Sequence, residues 1–485
     1  MSFDLVISRG RVVDPETGLD GIRDVGIDGD RIVAVSAAEL TGRRRIDARG
    51  LVVSPGFIDL HSHGQAIAEC RLQALDGVTT ALELEAGAAP VSAAYARAAA
   101  EGRPINYGFS ASWARIRMHV AGGSPLGEGS TGPLEDLGSS AWRGPAALPT
   151  ILGLLEKELA DGALGIGILL GYAAATDPRE YLEIARLAAA AGVPTFTHAR
   201  PLVEQDPDVA VDGAEEITRV AGETGAHMHY CHINSTSTRH LDRVQALVET
   251  VRAEGANVTS EVYPYGTGMS SIGADYFHPD RLHVLGATGT PQDVVYARTG
   301  ETVASVERLL ELRASDPSGL AFIRMFDEVK SADRLARFTA LPHAVVASDA
   351  VPFVIEDGHP YDPMQWPPPA FARTHPRSAG TYGRTLRIAR DTLPLTDVLA
   401  KCTVLPARVL ENAAPAMRRK GRLQVGCDAD VVVFDPELVT DAATYQHSVR
   451  PSTGFVHVLV NGEPVVADGQ LLRDAFPGRA VRASG

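Results

Sequence analysis

The chain has 485 residues, 45% hydrophobic and 22% charged, with a formal net charge of −15. That length suffices for a large buried core, and the acidic balance argues against nucleic acid or an anionic membrane surface as the main partner. The four cysteines, Cys70, Cys231, Cys402 and Cys427, are scattered and form no CxxC pair, and the first residues show no basic-then-apolar leader. These features favour a reducing cytoplasm over a disulfide framework, and no uncharged apolar run reaches the roughly 20 residues of a membrane span.

The chain opens with β texture. Residues 4–13 and 24–35 read as short apolar strands cut by Gly and Asp turns. Leu51-Val52-Val53-Ser54-Pro55-Gly56-Phe57-Ile58-Asp59-Leu60 follows as a buried strand and runs directly into His61-Ser62-His63. Side chains alternate along a strand, so both imidazoles leave its end on one face, at a spacing suited to a divalent metal. Further apolar strand candidates fall at about 78–84, 104–111, 163–169, 193–197, 226–231, 257–262 and 344–348. Most are separated by helical stretches, Ala-rich from Tyr181 to Ala191 and amphipathic from Thr236 to Glu254. Eight strands with intervening helices predict an α/β fold, a TIM-like (β/α)8 barrel. Gaps at about 112–147 and 265–340 exceed normal connections and are expected to be active-site excursions or lids. Strands return at 429–436 and 456–466, with Asn461-Gly462 as a hairpin signal. The expected domains are a barrel over 55–412 and a small β-sandwich built from both termini, 1–54 and 413–485.

In such a barrel, chemistry gathers where the strands end. The second barrel strand closes with Glu83-Leu84-Glu85, two carboxylates on one face. The fifth closes at His198, the sixth at His232, the seventh with Glu261-Val262-Tyr263-Pro264-Tyr265 and the eighth at Asp349. Each has an ordinary alternative: Asp349 as a turn residue, Tyr265 as packing, Glu83 as a partner of a buried Arg. Together they place His, Glu and Asp at one end of one barrel. Several neutral imidazoles with a carboxylate suit zinc, and a further carboxylate beside the metal suits a general base.

On these residues the chain resembles the amidohydrolase superfamily and, within it, the N-acyl-D-amino-acid deacylases (D-aminoacylases). Pro55-Gly56-Phe57-Ile58-Asp59-Leu60-His61-Ser62-His63 and Gly77-Val78-Thr79-Thr80 carry the superfamily likeness. Thr197-His198-Ala199-Arg200, Val262-Tyr263-Pro264-Tyr265, Ser348-Asp349 and His375-Pro376-Arg377 carry the deacylase likeness. The resemblance implies hydrolysis of the linear amide of N-acyl-D-amino acids with one or two zinc ions. His61 and His63 would bind an outer metal, His198 and His232 an inner one, and Asp349 would be the catalytic base. Two departures stand out. The fourth-strand segment from Gly162 to Leu169 lacks the lysine that many relatives carboxylate to bridge two metals. At the end of the second strand, where D-aminoacylases use a cysteine, the chain has Ala86 preceded by Glu85. Glu85 is the expected replacement, with Glu83 the second choice, and a harder oxygen donor leaves other divalent ions open.

The substrate implied is a small molecule with a free carboxylate, for which Arg377 is the first candidate partner. Tyr265 and Ser270 are candidates for the acyl or carboxylate end. Asn234, where deacylase relatives often carry lysine, is another substrate-binding candidate. Arg200 is either a support for His198 or half of a structural ion pair, and Arg324 is a candidate reader of an acidic side chain. Two rival readings stand beside this one. One is a hydantoinase- or dihydropyrimidinase-like cyclic-amide hydrolase; the other is a non-catalytic scaffold of the same fold. A homo-oligomer stays open.

Overall fold

The computed structural model describes residues 2–126, 141–356 and 359–484. The apolar stretch before His61 is two strands rather than one. Val52–Pro55 joins the terminal sheet, pairing with Val431–Phe434, while Phe57–Asp59 is the first strand of the barrel. Gly56 is the break between them. Its N–H bonds the carbonyl of Asp430 at 2.8 Å, and a Cβ there would lie 2.1 Å from the Thr79 hydroxyl oxygen. Only glycine allows that approach.

The terminal sheet has nine strands drawn from both ends of the chain. Its inner face buries Leu5, Ile7, Val12, Val25, Val431, Val433 and Leu459. The hairpin at Asn461-Gly462 links Phe455–Val460 to Glu463–Ala467, with both turn residues at positive φ (51° and 81°), as the tight two-residue turn requires.

The second architecture is an eight-stranded parallel sheet. In chain order its strands are β1 (Phe57–Asp59), β2 (Val78–Ala88), β3 (Asn106–Ser112), β4 (Ile166–Ile168), β5 (Thr195–Thr197), β6 (Met228–Tyr230), β7 (Val258–Val262) and β8 (Ala344–Val346). All eight coincide with the strands expected from sequence. They are buried almost throughout, as parallel strands flanked by helices must be. Strand pairing runs unbroken from β1 to β8. Closure comes just beyond the strand ends, where Ser62 bridges Ala350 and His63 N donates to Ala350 O at 2.7 Å. Tyr382 stitches the same seam, its hydroxyl donating to the carbonyls of Ile58 and Val346. The fold is a TIM-type barrel with a terminal β-sandwich.

Between β7 and β8 the long excursion is folded. Thr267–Ser271, Val294–Tyr296, Glu301–Thr302 and Leu320–Arg324 make a four-stranded antiparallel sheet. It presents Met269, Ile323 and Met325 to the mouth of the barrel. The excursion after β3 begins with the helix Trp113–Gly122, and residues 127–140 of it lie outside the described residues. Among the described residues, no helix is long and apolar enough to cross a membrane.

Candidate active site

The barrel brings the expected residues to one point. His61 and His63 leave the end of β1, and their Nε2 atoms lie 3.1 Å apart. Glu85, on β2, sits between two pairs of imidazoles. Its Oε1 is 2.7 Å from His232 Nε2 and 3.1 Å from His198 Nδ1. Its Oε2 is 3.2 Å from His61 Nε2 and 3.6 Å from His63 Nε2. Asp349, just past β8, places Oδ1 3.5 Å from the Nε2 atoms of both His61 and His63. Ligand atoms of His61, Glu85 and His232 fall within 4.8 Å of one another, as do those of His61, His63 and Asp349. The donor set therefore fits a divalent cation. His232 and Asp349 both hold left-handed backbone, at φ 32° and 51°. Such conformations in non-glycine residues persist where the surroundings dictate them, often at functional sites.

A second layer fixes the first. Glu83 takes the far side of His63, with Oε2 2.8 Å from Nδ1, and accepts the N–H groups of Ala86 and Gly87. Glu261 does the same for His61 through Nδ1 and also accepts the His232 N–H at 3.2 Å. Behind it, His229 Nε2 meets Glu261 at 3.0 Å, and His229 Nδ1 meets the Thr259 hydroxyl at 2.8 Å. Thr259 and Glu261 alternate on β7 beside His229 on β6, in register, so all three project into the barrel. In sequence, Glu261 falls at the end of the seventh strand without a role and His229 is not singled out; the alternation along β6 and β7 is the signal that finds both. Asp59 ties β1 to β8 by accepting the N–H groups of His61 and Ser348 and the Ser348 hydroxyl.

The charges balance only if cations are supplied. Glu83, Glu85, Glu261 and Asp349 are all buried. Burial alone would lower the His61 imidazole, but Glu261, Glu85 and Asp349 carry it well above its ordinary value. Burial works the same way on His63, which Glu83 and Asp349 raise to about 9. Against the opposing effect of burial, His61, His232 and His198 hold Glu85 well below the usual carboxylate range. Asp349 is also lowered, burial again opposing, chiefly by Arg377 and then His61. Burial pushes the Cys231 thiol well up, so it stays protonated. A metal ion would supply the positive charge that protons on His61 and His63 supply in the protein alone.

Above these groups lies a cavity of about 50 Å³. Arg377 and Ser270 are among the residues that line it. Arg377 is 1% exposed, and its first partner is not a substrate group. Nη2 lies 2.8 Å from Asp349 Oδ2, and Nε donates to the Asp349 carbonyl at 2.6 Å. Among the described residues neither Nη1 nor Nη2 has a hydrogen-bond partner, Nη2 being held to Asp349 by the ion pair alone. Ser270 shares a 2.8 Å hydrogen bond with the Tyr172 hydroxyl. Tyr265 does not reach the cavity. It is buried beneath Arg384, whose guanidinium lies 4.3 Å over its ring, and its hydroxyl donates to Pro376 O. Arg200 is structural: fully buried, it pairs with Glu216 at 2.7 Å and donates to the Thr176 carbonyl. Arg324 faces away, half exposed and paired with Asp293 at 3.1 Å.

Residues 44–466 match the model of the amidohydrolase family. The chain belongs to the amidohydrolase family. An N-acyl-D-glutamate deacylase of Alcaligenes xylosoxydans xylosoxydans is 30% identical, over 99% of this chain and 96% of its own. A D-aminoacylase of the same organism is 28% identical, over 96% and 94%. The crystal structure of the N-acyl-D-glutamate deacylase of Bordetella bronchiseptica, complexed with zinc and a phosphonate inhibitor, is 25% identical. It aligns over the full length of both chains with a TM-score of 0.75.

Two features of this amidohydrolase bear on the missing fourth-strand lysine and on Asn234. Within β4, a Cβ on Gly167 would sit 2.3 Å from the Glu85 carbonyl oxygen. The end of β2 thus occupies the space a side chain from that point of β4 would need. Asn234 is the second. It does not line the cavity but bridges the backbone of Tyr263, with Nδ2 donating to the carbonyl at 3.0 Å and Oδ1 accepting the N–H at 3.3 Å. Its expected place at the substrate is corrected to a brace between the helix Ile233–Ser237 and the end of β7. Asn234→Ala should cost about 1–3 kcal/mol of stability through the unpaired backbone groups, read as a lowered urea midpoint. A KM change without loss of stability would return Asn234 to the substrate.

Proposed function

We propose that the protein hydrolyses the amide bond of N-acyl-D-amino acids, with Asp349 as general base and zinc as the metal. The observation that carries this reading is the division of Glu85, one oxygen toward His198 and His232 and the other toward His61 and His63. In this reading His198, His232 and Glu85 would hold an inner ion, and His61, His63 and Glu85 an outer one. A zinc ion held by these residues would supply Lewis-acid polarisation of the amide carbonyl and a water whose pKa is lowered from about 16 toward 7.

The chain's own residues do the rest. Arg377 clamps Asp349 Oδ2 and its carbonyl, leaving Oδ1 on the side of the imidazoles. Oδ1 accepts the proton of the attacking water and returns it to the leaving amine. Asp349 is suited to start as the base because Arg377 and His61 keep it ionised. Arg377 Nη1, without a protein partner, takes the substrate carboxylate. Glu83 and Glu261 hold His63 and His61 from behind and fix which ring nitrogen faces inward.

The cyclic-amide reading is disfavoured because β4 has neither a lysine nor, at Gly167, room for a side chain. The scaffold reading is disfavoured by a buried, second-layer-supported ligand set. A panel of N-acetyl-D- and N-acetyl-L-amino acids, assayed beside metal content, tests the proposal. Hydrolysis of the D series with stoichiometric zinc is expected. Preference for the L series would overturn the stereochemical assignment, and protein free of both metal and activity would favour the scaffold.

A further inference from the structure

The relatives' names span different side chains, so family membership leaves open which amino acid this chain takes. We infer that its substrate carries one carboxylate only: it is the N-acyl derivative of an apolar D-amino acid, not of D-glutamate or D-aspartate. The inference rests on the deacylase reading above.

Its basis is the chemistry of the cavity wall. To the cavity that Asp349 and Arg377 line, the excursion between β7 and β8 supplies Met269, Phe277, Leu285, Ile323 and Met325. The polar groups beside them are already matched, Ser270 with Tyr172 and the Tyr276 hydroxyl with His198 Nε2. Among the described lining residues, Arg377 is the one cation apart from the imidazoles of the ligand set. Its Nε donates to the Asp349 carbonyl and its Nη2 is ion-paired with Asp349 Oδ2, so this one guanidinium, already shared with Asp349, serves a single substrate carboxylate.

The arginines of the excursion do not help. Arg324 follows Ile323 on the same strand, and alternation that turns Ile323 inward turns Arg324 out to Asp293. Arg281 pairs with Asp206 and Arg298 with Asp316. A second substrate carboxylate, wherever it lay on this wall, would be buried without a partner and in the field of Asp349 and Glu85.

The test is kcat/KM on the zinc-loaded enzyme for N-acetyl-D-methionine, -D-leucine, -D-glutamate and -D-aspartate, for wild type and Ile323→Arg. The apolar substrates should exceed the acidic ones by at least roughly 100-fold in wild type. Ile323→Arg should narrow that ratio by about tenfold or more through gain on D-glutamate. Equal or better turnover of D-glutamate by wild type would overturn the inference while leaving the deacylase reading intact. Absence of turnover on every D substrate would overturn both. The wild-type ratio decides the matter even if Ile323→Arg fails to fold.

Discussion

Asp349→Asn should lower turnover of N-acetyl-D-amino acids by about 10²–10⁴-fold, with little change in metal content or unfolding midpoint. Asparagine matches aspartate in size and tolerates the left-handed backbone that Asp349 adopts at φ 51°. Its amide oxygen can still face Arg377 Nη2, which lies 2.8 Å from Oδ2 in the native site. What the amide lacks is a basic oxygen. Oδ1, 3.5 Å from the Nε2 atoms of His61 and His63, is the atom with access to a water at the metal site. The turnover number, emission analysis of zinc and a thermal melt together make the check. A variant within threefold of wild-type kcat would remove Asp349 as the base. A variant that lost its metal would instead make Asp349 a ligand first.

The barrel was legible because its strands are short runs rich in apolar and β-branched residues bounded by turn or helix signals. The residues closing those runs, His61, His63, Glu85, His198, His232 and Asp349, needed no knowledge of side-chain direction, since strand ends of a parallel barrel all face one way. Legibility failed one step beyond the strands. Asn234 and Tyr265 each lie only three or four residues past a strand end, yet local turns bury them against backbone and Arg384 instead of the cavity. Arg324 and Ile323 are neighbours on one strand, and no sequence signal says which faces the site, because that depends on how a four-stranded excursion docks over the barrel. The same limit hid the break at Gly56. The apolar pattern is continuous there, and only the approach of Thr79 demands a glycine.

Glu85→Gln should empty the site, weakening metal binding by at least about 100-fold, beyond the 10–100-fold typical of groups that merely support a ligand. Glu83→Gln should stay within that lower range. The two carboxylates are two residues apart on β2 and equally buried, so composition and spacing do not separate them. Their partners do. Glu83 meets His63 Nδ1 and the amides of Ala86 and Gly87, a supporting pattern. Glu85 meets four imidazoles, two with each oxygen, and among the described residues no backbone donor holds it if the charge is lost. Glutamine keeps the volume but offers one oxygen and one NH₂ group, so one pair of imidazoles would face a donor where it now faces an acceptor. Zinc retained after dialysis against graded chelator reads the difference. Full metal in Glu85→Gln with depletion in Glu83→Gln would exchange the two roles. Glu85→Cys carries the argument further: a thiolate is softer and shorter, so it should favour zinc over harder divalent ions relative to the native glutamate. Its single sulfur can face both pairs of imidazoles only if β2 shifts toward them.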